Sequence, residues 1–190
     1  MFRLNDHFLQ TLPGEEAVFD AEIKGKFDES AYPTEGSLRL KVGAKVVLLR
    51  NDPAKRWVNG TAAVISKIAG GKVWIELRGA QYEIERATWE RIGHRFDEKK
   101  QAIVAETEGA FRQLPLRLAW ALTIHKSQGM TLDNVYLDLA RGAFAHGQTY
   151  VALSRVRSLA GLALARPLRR QDIIFDPAAL GYREAFRALR

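Results

Sequence analysis

Apolar positions shift from helical to strand spacing and back along this chain. Phe8, Leu9 and Leu12 share one face of a short helix, which Pro13-Gly14 ends. Residues 15–37, rich in Glu, Asp, Gly and Pro, read as a connection with a strand near residues 17–19. From there the pattern changes. Val46-Val47-Leu48-Leu49 reads as a buried strand, and Asn59-Gly60 as a turn. Residues 61–68 and 72–77 read as two strands of a hairpin joined by Gly70-Gly71. Val73, Ile75 and Leu77 alternate with Trp74 and Glu76, the period of a strand with one buried face. Residues 82–84 and 88–92 add short segments. Several short strands with tight turns predict a small barrel over residues 38–109, of SH3-like type.

Beyond residue 110 the pattern becomes α/β. Residues 114–122 form an apolar run interrupted by Arg117, residues 135–139 a short strand, residues 146–156 a helix, and Leu162-Ala163-Leu164 another buried strand. Strand, helix and strand at this spacing predict a parallel sheet. Asp176 and Pro177 suit an N-cap and first helical turn, and Tyr182, Phe186 and Leu189 fall on one face of a closing helix.

Composition narrows the class. With 47% hydrophobic and 27% charged residues, the chain has the balance of a folded globular protein. No apolar run reaches the roughly 18 residues of a membrane span, and residues 1–7 carry no signal-peptide core. The absence of cysteine excludes disulfides, thiolate metal sites and cysteine nucleophiles, and fits a reducing, cytoplasmic location. The net charge of +7 suits a polyanionic partner without requiring one. The excess is concentrated late: residues 155–190 carry eight arginines against Asp172, Asp176 and Glu184.

The chemistry-bearing residues gather in two strings. In Leu122-Thr123-Ile124-His125-Lys126-Ser127-Gln128-Gly129, hydroxyls, an imidazole, an ammonium and a glycine follow an apolar run. A helix starting here would offer free N–H groups and a favourable dipole to a phosphate. A capped helix start with a solvated lysine explains the same residues. In His146-Gly147-Gln148-Thr149-Tyr150-Val151-Ala152-Leu153-Ser154-Arg155, Gln148 and Arg155 are two helical turns apart and share a face, while Tyr150 and Leu153 can pack on another. Arginine suits phosphate because its planar fork bonds two oxygens and stays charged; pairing with a surface carboxylate is its commoner fate. Together the strings point to phosphate on a nucleotide, on a nucleic-acid backbone, or on both.

Other residues add less. Gly70-Gly71-Lys72-Val73 lacks phosphate-loop spacing and reads as a turn. None of His7, His94, His125 and His146 has a partner at metal-ligand spacing, so no metal site is expected. Trp74 and Trp120 lie in apolar runs and read as core, whereas Trp57, beside Lys55 and Arg56, is the candidate for base stacking.

These strings carry a resemblance. Leu118 to Leu132, with Thr123-Ile124-His125-Lys126-Ser127-Gln128-Gly129 at its centre, resembles motif V of the Pif-type and RecD-like DNA helicases of superfamily one. Phe144 to Val156 resembles the segment containing their motif VI, and Leu40 to Asn51 with Val58-Asn59-Gly60-Thr61 is similar to the opening of their SH3-like insertion. The resemblance implies a partial RecA-like α/β domain of the P-loop NTPase type. Its N-terminal part would be residues 1–37, an inserted barrel residues 38–109, and residues 110–190 the part carrying motifs V and VI.

The implied roles follow residue by residue. Arg155 would reach the γ-phosphate of ATP as an arginine finger. Gly129, Gln128 and Gln148 would lie near the nucleotide, with Lys126 supporting either ligand. Thr123, His125 and Ser127 would touch single-stranded DNA, with Trp57 of the barrel as a further contact. Unwinding would run 5′ to 3′ on single-stranded DNA or a junction, with the chain acting as a monomer, near the nucleoid in a bacterium. The first RecA-like domain of such helicases, with its Walker A and B motifs, has no counterpart in this sequence. The groups that hold Mg²⁺ and the β- and γ-phosphates would come from that domain, and the chain alone is expected to be inactive. A free-standing, non-catalytic DNA- or protein-binding module is the alternative.

Overall fold

The computed structural model describes residues 2–97, 102–176 and 178. The chain falls into two compact units, Met1–Ala121 and Leu122–Arg190. Among the described residues, no helix is long and apolar enough to cross a membrane.

The first unit begins with helix α1 (Phe2–Thr11), which buries Leu9 and packs Leu12 on the core. Among the described residues ten strands follow, joined by seven antiparallel pairings: β1 (Ala17–Asp20), β2 (Glu22–Gly25), β3 (Ser37–Leu40), β4 (Lys45–Leu48), β5 (Ala62–Ala69), β6 (Lys72–Leu77), β7 (Ala80–Ile84), β8 (Ala87–Asp97), β9 (Ala102–Gln113) and β10 (Leu116–Leu118). β1 pairs with β3; β2, β9 and β8 form a three-stranded sheet; β10, β4, β5, β6 and β7 form a five-stranded sheet in that order. Leu38, Leu40, Val46, Ile65, Val73, Ile75 and Leu116 are completely buried in one core shared by α1, the β1–β3 pair and the five-stranded sheet. Gly70 and Gly71 both take positive φ in the two-residue turn between β5 and β6, which confirms the hairpin there.

Three expectations for this unit change. The strands of residues 38–109 do not close into a barrel: β7 is one edge of the five-stranded sheet, while β8 pairs with β9, which pairs with β2 on its other side. The segment at residues 88–92 is the first half of the longer strand β8, which pairs antiparallel with β9. The apolar run at residues 114–122 supplies only three strand residues, and they join β4 antiparallel rather than a parallel sheet. Leu116 and Leu118 fill the core, while Arg117 between them donates to the carbonyl of Pro33 and burial lowers its pKa. Trp74 is also outside the core. The β6 alternation turns it outward, where Lys67 Nζ lies 4.8 Å from its ring centre. Trp120 packs on the core and stacks with Phe8 at 5.9 Å.

Buried polar groups fix the loops of this unit. Asn5 brackets residue 121: its Nδ2 donates to the Ala121 carbonyl and its Oδ1 accepts the Ala121 N–H, both at 2.8 Å. Gln113, fully buried, donates to the Phe19 carbonyl at 2.7 Å and accepts the Leu114 N–H at 2.9 Å.

The second unit is smaller. Strands β11 (Val135–Leu137) and β12 (Leu162–Leu164) form a parallel pair, with helix α2 (Gln148–Leu153) between them in sequence. The parallel sheet is thus present in reduced form. Leu137, Leu139 and Ala152 are its buried core, with Ile124, Leu153, Leu162 and Leu168 packed against them. The helix is shorter than residues 146–156, because Gly147 in the left-handed region starts it and Ser154 ends it. The N-cap expectation at Asp176 has a partial counterpart in its carboxylate, which accepts the Ala178 N–H at 2.9 Å. Pro177 and the helix carrying Tyr182, Phe186 and Leu189 lie outside the described residues.

Candidate phosphate and nucleic-acid site

The Thr123 to Gly129 string does not begin an α-helix. It forms a single 3₁₀ turn, His125–Ser127, so the full helix dipole invoked for phosphate is absent. The turn is closed by its own side chains. Thr123 Oγ1 accepts the Lys126 N–H at 3.2 Å, and Ser127 Oγ donates to the Ile124 carbonyl at 2.7 Å. Ser127 is buried, so its hydroxyl serves the turn rather than a ligand. Ile124 is the peg that fixes the turn in the unit's core. Thr123, His125 and Lys126 are left on the outside, as are Gln128 and Gly129. Gly129 has φ +78°, which side chains disfavour, and nothing approaches the position a Cβ would take. Its backbone is open to a ligand.

The second string forms α2 and its exit. Thr149, Ala152 and Leu153 face inward, at i, i+3 and i+4. Tyr150 is therefore turned out and 75% exposed, not packed beside Leu153. Gln148 opens the helix, whereas Arg155 lies past its C-cap, so the two do not share a helical face. Gln148 Oε1 accepts the Phe144 N–H at 3.0 Å. Arg155 is half-buried, with Nε donating to the Val151 carbonyl at 3.0 Å, Nη1 to the Met130 carbonyl at 3.2 Å and Nη2 to Ser154 Oγ at 2.8 Å. Among the described residues no carboxylate forms an ion pair with it. Backbone bonds reinforce the link: Leu132 N–H donates to the Arg155 carbonyl at 2.8 Å, and Arg157 N–H to the Leu132 carbonyl at 3.0 Å. The structure thus joins the end of the first string to the arginine of the second.

Behind them lies a buried ion pair that sequence patterning gives no sign of. Asp172, fully buried, accepts Arg166 Nη1 and Nη2 at 2.7 Å each and the Arg169 N–H at 2.7 Å. The two guanidinium hydrogen bonds, ahead of the backbone ones, hold its carboxyl well below the ordinary range, against the effect of burial. Thr149 Oγ1 donates to the Asp172 carbonyl, and Gly147 N–H to the Ile174 carbonyl at 3.0 Å, so this segment braces the start of α2. Six residues separate the pair in an arginine-rich stretch. Neither helical nor strand spacing marks them; only the scarcity of carboxylates there could have singled out Asp172.

Trp57 belongs to the first unit and is not a free loop side chain. It packs on the core and meets Tyr82 edge-on at 5.5 Å, while Arg56 covers it at 4.7 Å from the ring centre. Arg56 is fixed in turn by Asp52, bidentate at 2.6 and 2.7 Å. Chiefly through these bonds from Arg56, the Asp52 carboxyl is lowered to about 2. Asp52, Arg56 and Trp57 line a depression of about 860 Å³ in which Arg50, Lys72 and Arg86 alternate with Glu83 and Glu85. Among the described residues, no group of three or more His, Asp and Glu side chains could hold a metal ion.

No protein-family model matches the chain. Individual proteins do. The ATP-dependent DNA helicase Pif1 of Bdellovibrio bacteriovorus is 38% identical over 98% of this chain and 42% of its own length. The human ATP-dependent DNA helicase PIF1 is 39% identical over 93% of this chain and 26% of its own length. The solved structure of unliganded Pif1 from Bacteroides sp. superposes with a TM-score of 0.85 at 35% identity, covering 98% of this chain and 43% of that one. The Bacteroides enzyme with ADP-AlF4 gives 0.83, and bound to single-stranded DNA 0.73, both at 34% identity over the same shares of the two chains. The chain therefore spans less than half the length of these relatives. By sequence and by fold, it is a homologue of the Pif1 DNA helicases, consistent with the C-terminal part of such an enzyme.

Proposed function

We propose that this chain acts as the second motor half of an ATP-dependent DNA helicase, moving 5′ to 3′ along single-stranded DNA. The observation that carries this reading is the tie between the two strings. Arg155 donates to the carbonyl of Met130, one residue beyond Gly129, and is engaged by carbonyls and a hydroxyl rather than a carboxylate. A guanidinium held this way keeps its full charge and can exchange neutral acceptors for a phosphate at little electrostatic cost. At the γ-phosphate it would stabilise charge developing in the transition state. Gln128, Gly129 and Lys126 would border that nucleotide. Gln148 would act one step back, by holding the loop at Phe144.

Thr123, His125 and Lys126, on the outer side of the turn, would meet the DNA backbone. Ser127 would support them by closing the turn. In the domain assignment that accompanies this reading, residues 1–37 and 110–190 belong to the RecA-like half. Residues 38–109 are its SH3-like insertion, gripping DNA through the depression beside Trp57. The ligands of a Mg²⁺ that would offset phosphate charge, and the Walker A lysine, would come from a first motor domain. The Bacteroides relatives with ADP-AlF4 and with single-stranded DNA support both ligand classes.

Complementation tests the reading. The 190-residue chain alone should not hydrolyse ATP, and joining it to the first motor domain of a Pif1 relative should give DNA-stimulated hydrolysis. Hydrolysis by the chain alone, lost on Arg155→Ala, would contradict the division of labour. A chain that binds single-stranded DNA tightly by itself, yet never supports hydrolysis in the joined protein, would favour the free-standing binding module.

A further inference from the structure

Beside the 3₁₀ turn, the second unit carries a depression of about 500 Å³, within the size of small-ligand pockets (roughly 300–1,000 Å³). Ile124 and Leu139, both anchored in the core, supply its apolar lining. Asp138, Arg141, Phe144 and Gln148 complete the lining, and Phe144 is 80% exposed. A lone exposed ring is ordinary. This one is displayed by a loop that the rest of the unit holds in place. Ala140 sits at φ +48° and Gly142 at φ +143°, conformations that side chains avoid. Asp138 Oδ1 accepts the Ala140 N–H at 2.7 Å, and Arg166 Nε donates to the Ala140 carbonyl at 3.3 Å. Arg166 is itself clamped by the buried Asp172, whose Oδ1 lies 3.3 Å from where a Cβ on Gly142 would stand. The Gln148 side chain fixes the Phe144 N–H. Backbone held in uncommon conformations by a buried ion pair is the mark of a preorganised surface.

We infer that this depression is a nucleobase site, in which a base of bound single-stranded DNA stacks on Phe144 over Ile124 and Leu139. The inference rests on the helicase reading, since the occupant follows from the turn. Thr123, His125 and Lys126 flank Ile124 on its exposed side, and a strand whose phosphates lie against them carries its bases within reach of the adjoining hollow. An apolar lining with an aromatic edge suits a base face and gives phosphate little. Gln148 and Arg141 add polar groups at the rim. The Asp172–Arg166 pair is a positioning element that shapes the site without touching the base.

Binding of the 190-residue chain to labelled oligothymidylate, followed by fluorescence anisotropy at low salt, tests this. Matched strands with single abasic positions form the second arm, and ATP as competitor the third. Phe144→Ala should weaken binding by about 5- to 150-fold, the range that loss of one base–aromatic stack gives, and Phe144→Trp should restore it. One abasic position should weaken the native chain but leave Phe144→Ala unchanged. Asp172→Asn should reduce the abasic effect while leaving some binding to the phosphates. Native binding with no response to Phe144→Ala or to abasic positions would overturn the base site and leave the helicase reading standing. Displacement of the oligonucleotide by ATP that disappears on Phe144→Ala would assign the hollow to a nucleotide and overturn it too. Failure of the native chain to hold the strand at all would remove the DNA-binding role of the turn, and this inference with it.

Discussion

Buried polar ties occur in both units of this chain, but the apolar core that accompanies them is large in the first and small among the described residues of the second. The first is a sheet scaffold around one apolar core, in which Leu9, Leu38, Leu40, Val46, Ile65, Val73, Ile75 and Leu116 are fully buried. Among its described residues the second buries four apolar side chains, Met130, Leu137, Leu139 and Ala152, none of them fully excluded from solvent. It compensates with polar ties: Arg166 to Asp172, Thr149 to the Asp172 carbonyl, and Arg155 to the carbonyls of Val151 and Met130. Apolar burial is non-directional and tolerant. Hydrogen-bonded networks fix orientation and are intolerant of a missing member. A segment that must present a guanidinium and a phosphate-facing turn in register is better served by the second kind. The contrast teaches where to look for chemistry in this chain: in the unit whose small core cannot by itself explain its order.

The largest effect expected from breaking this division is chemical. In a protein joining the chain to a first motor domain, Arg155→Ala should lower kcat for ATP by about 10³ or more with DNA affinity little changed. Thr123→Ala combined with His125→Ala should do the reverse, weakening DNA binding first, as equilibrium binding and steady-state kinetics on one sample would show. If both changes affected DNA binding alone, the two strings would share a single role.

Stability separates the units next. Trp57, Trp74, Trp89 and Trp120 all lie in the first unit, so intrinsic tryptophan fluorescence follows that unit alone. Ile65→Ala should cost about 2–5 kcal/mol in denaturant unfolding read by fluorescence. Leu137→Ala, in the shallower core, should leave the fluorescence transition in place and cost about 2 kcal/mol in amide exchange of α2 and β11. A fluorescence midpoint that moves equally for both would mean the units unfold as one.

Acid gives the smallest and finest test. Asp52 in the first unit and Asp172 in the second both have carboxyl pKa values lowered by arginine. A depressed carboxylate stabilises the fold above its unfolded pKa, and that contribution is lost as pH falls through the folded value. For Asp52 the loss falls between the ordinary 3.8 and about 2, while the Asp172 contribution persists to lower pH. Asp52→Asn should flatten the fluorescence-detected acid response over that window. Asp172→Asn should act on the amide exchange of α2 instead.

Much of the scaffold was legible because it depends on spacing. Val73, Ile75 and Leu77 alternate, Gly70-Gly71 permits the two-residue turn, and both features stand as a hairpin. Closure was not legible. Whether β7 meets a neighbour depends on where β8 turns, and β8 pairs with β9, in the sheet it shares with β2, rather than with β7. Arg117 in an apolar run gave no hint that its flanking leucines would pair with β4, since period-two burial is the same for parallel and antiparallel partners. At the site, residue identities located the turn and Arg155. Which hydroxyl is spent inside the fold was beyond a linear reading: Ser127 points in and Thr123 caps, although both looked available. The partners of Arg155 are backbone carbonyls, which every residue carries, and so no sequence signal marks Met130. Asp172 and Arg166 meet through a loop reversal that neither the helical nor the strand period describes.

The claim that Arg155 serves a fuel pocket shared with another domain can be tested most directly by a structure of the joined two-domain protein with ADP-AlF4 bound. The account predicts that the Arg155 guanidinium has left the Met130 carbonyl and lies within hydrogen-bond distance of the aluminium fluoride. A guanidinium still bonded to the carbonyls of Val151 and Met130, with the fluoride contacted only by other residues, would contradict it.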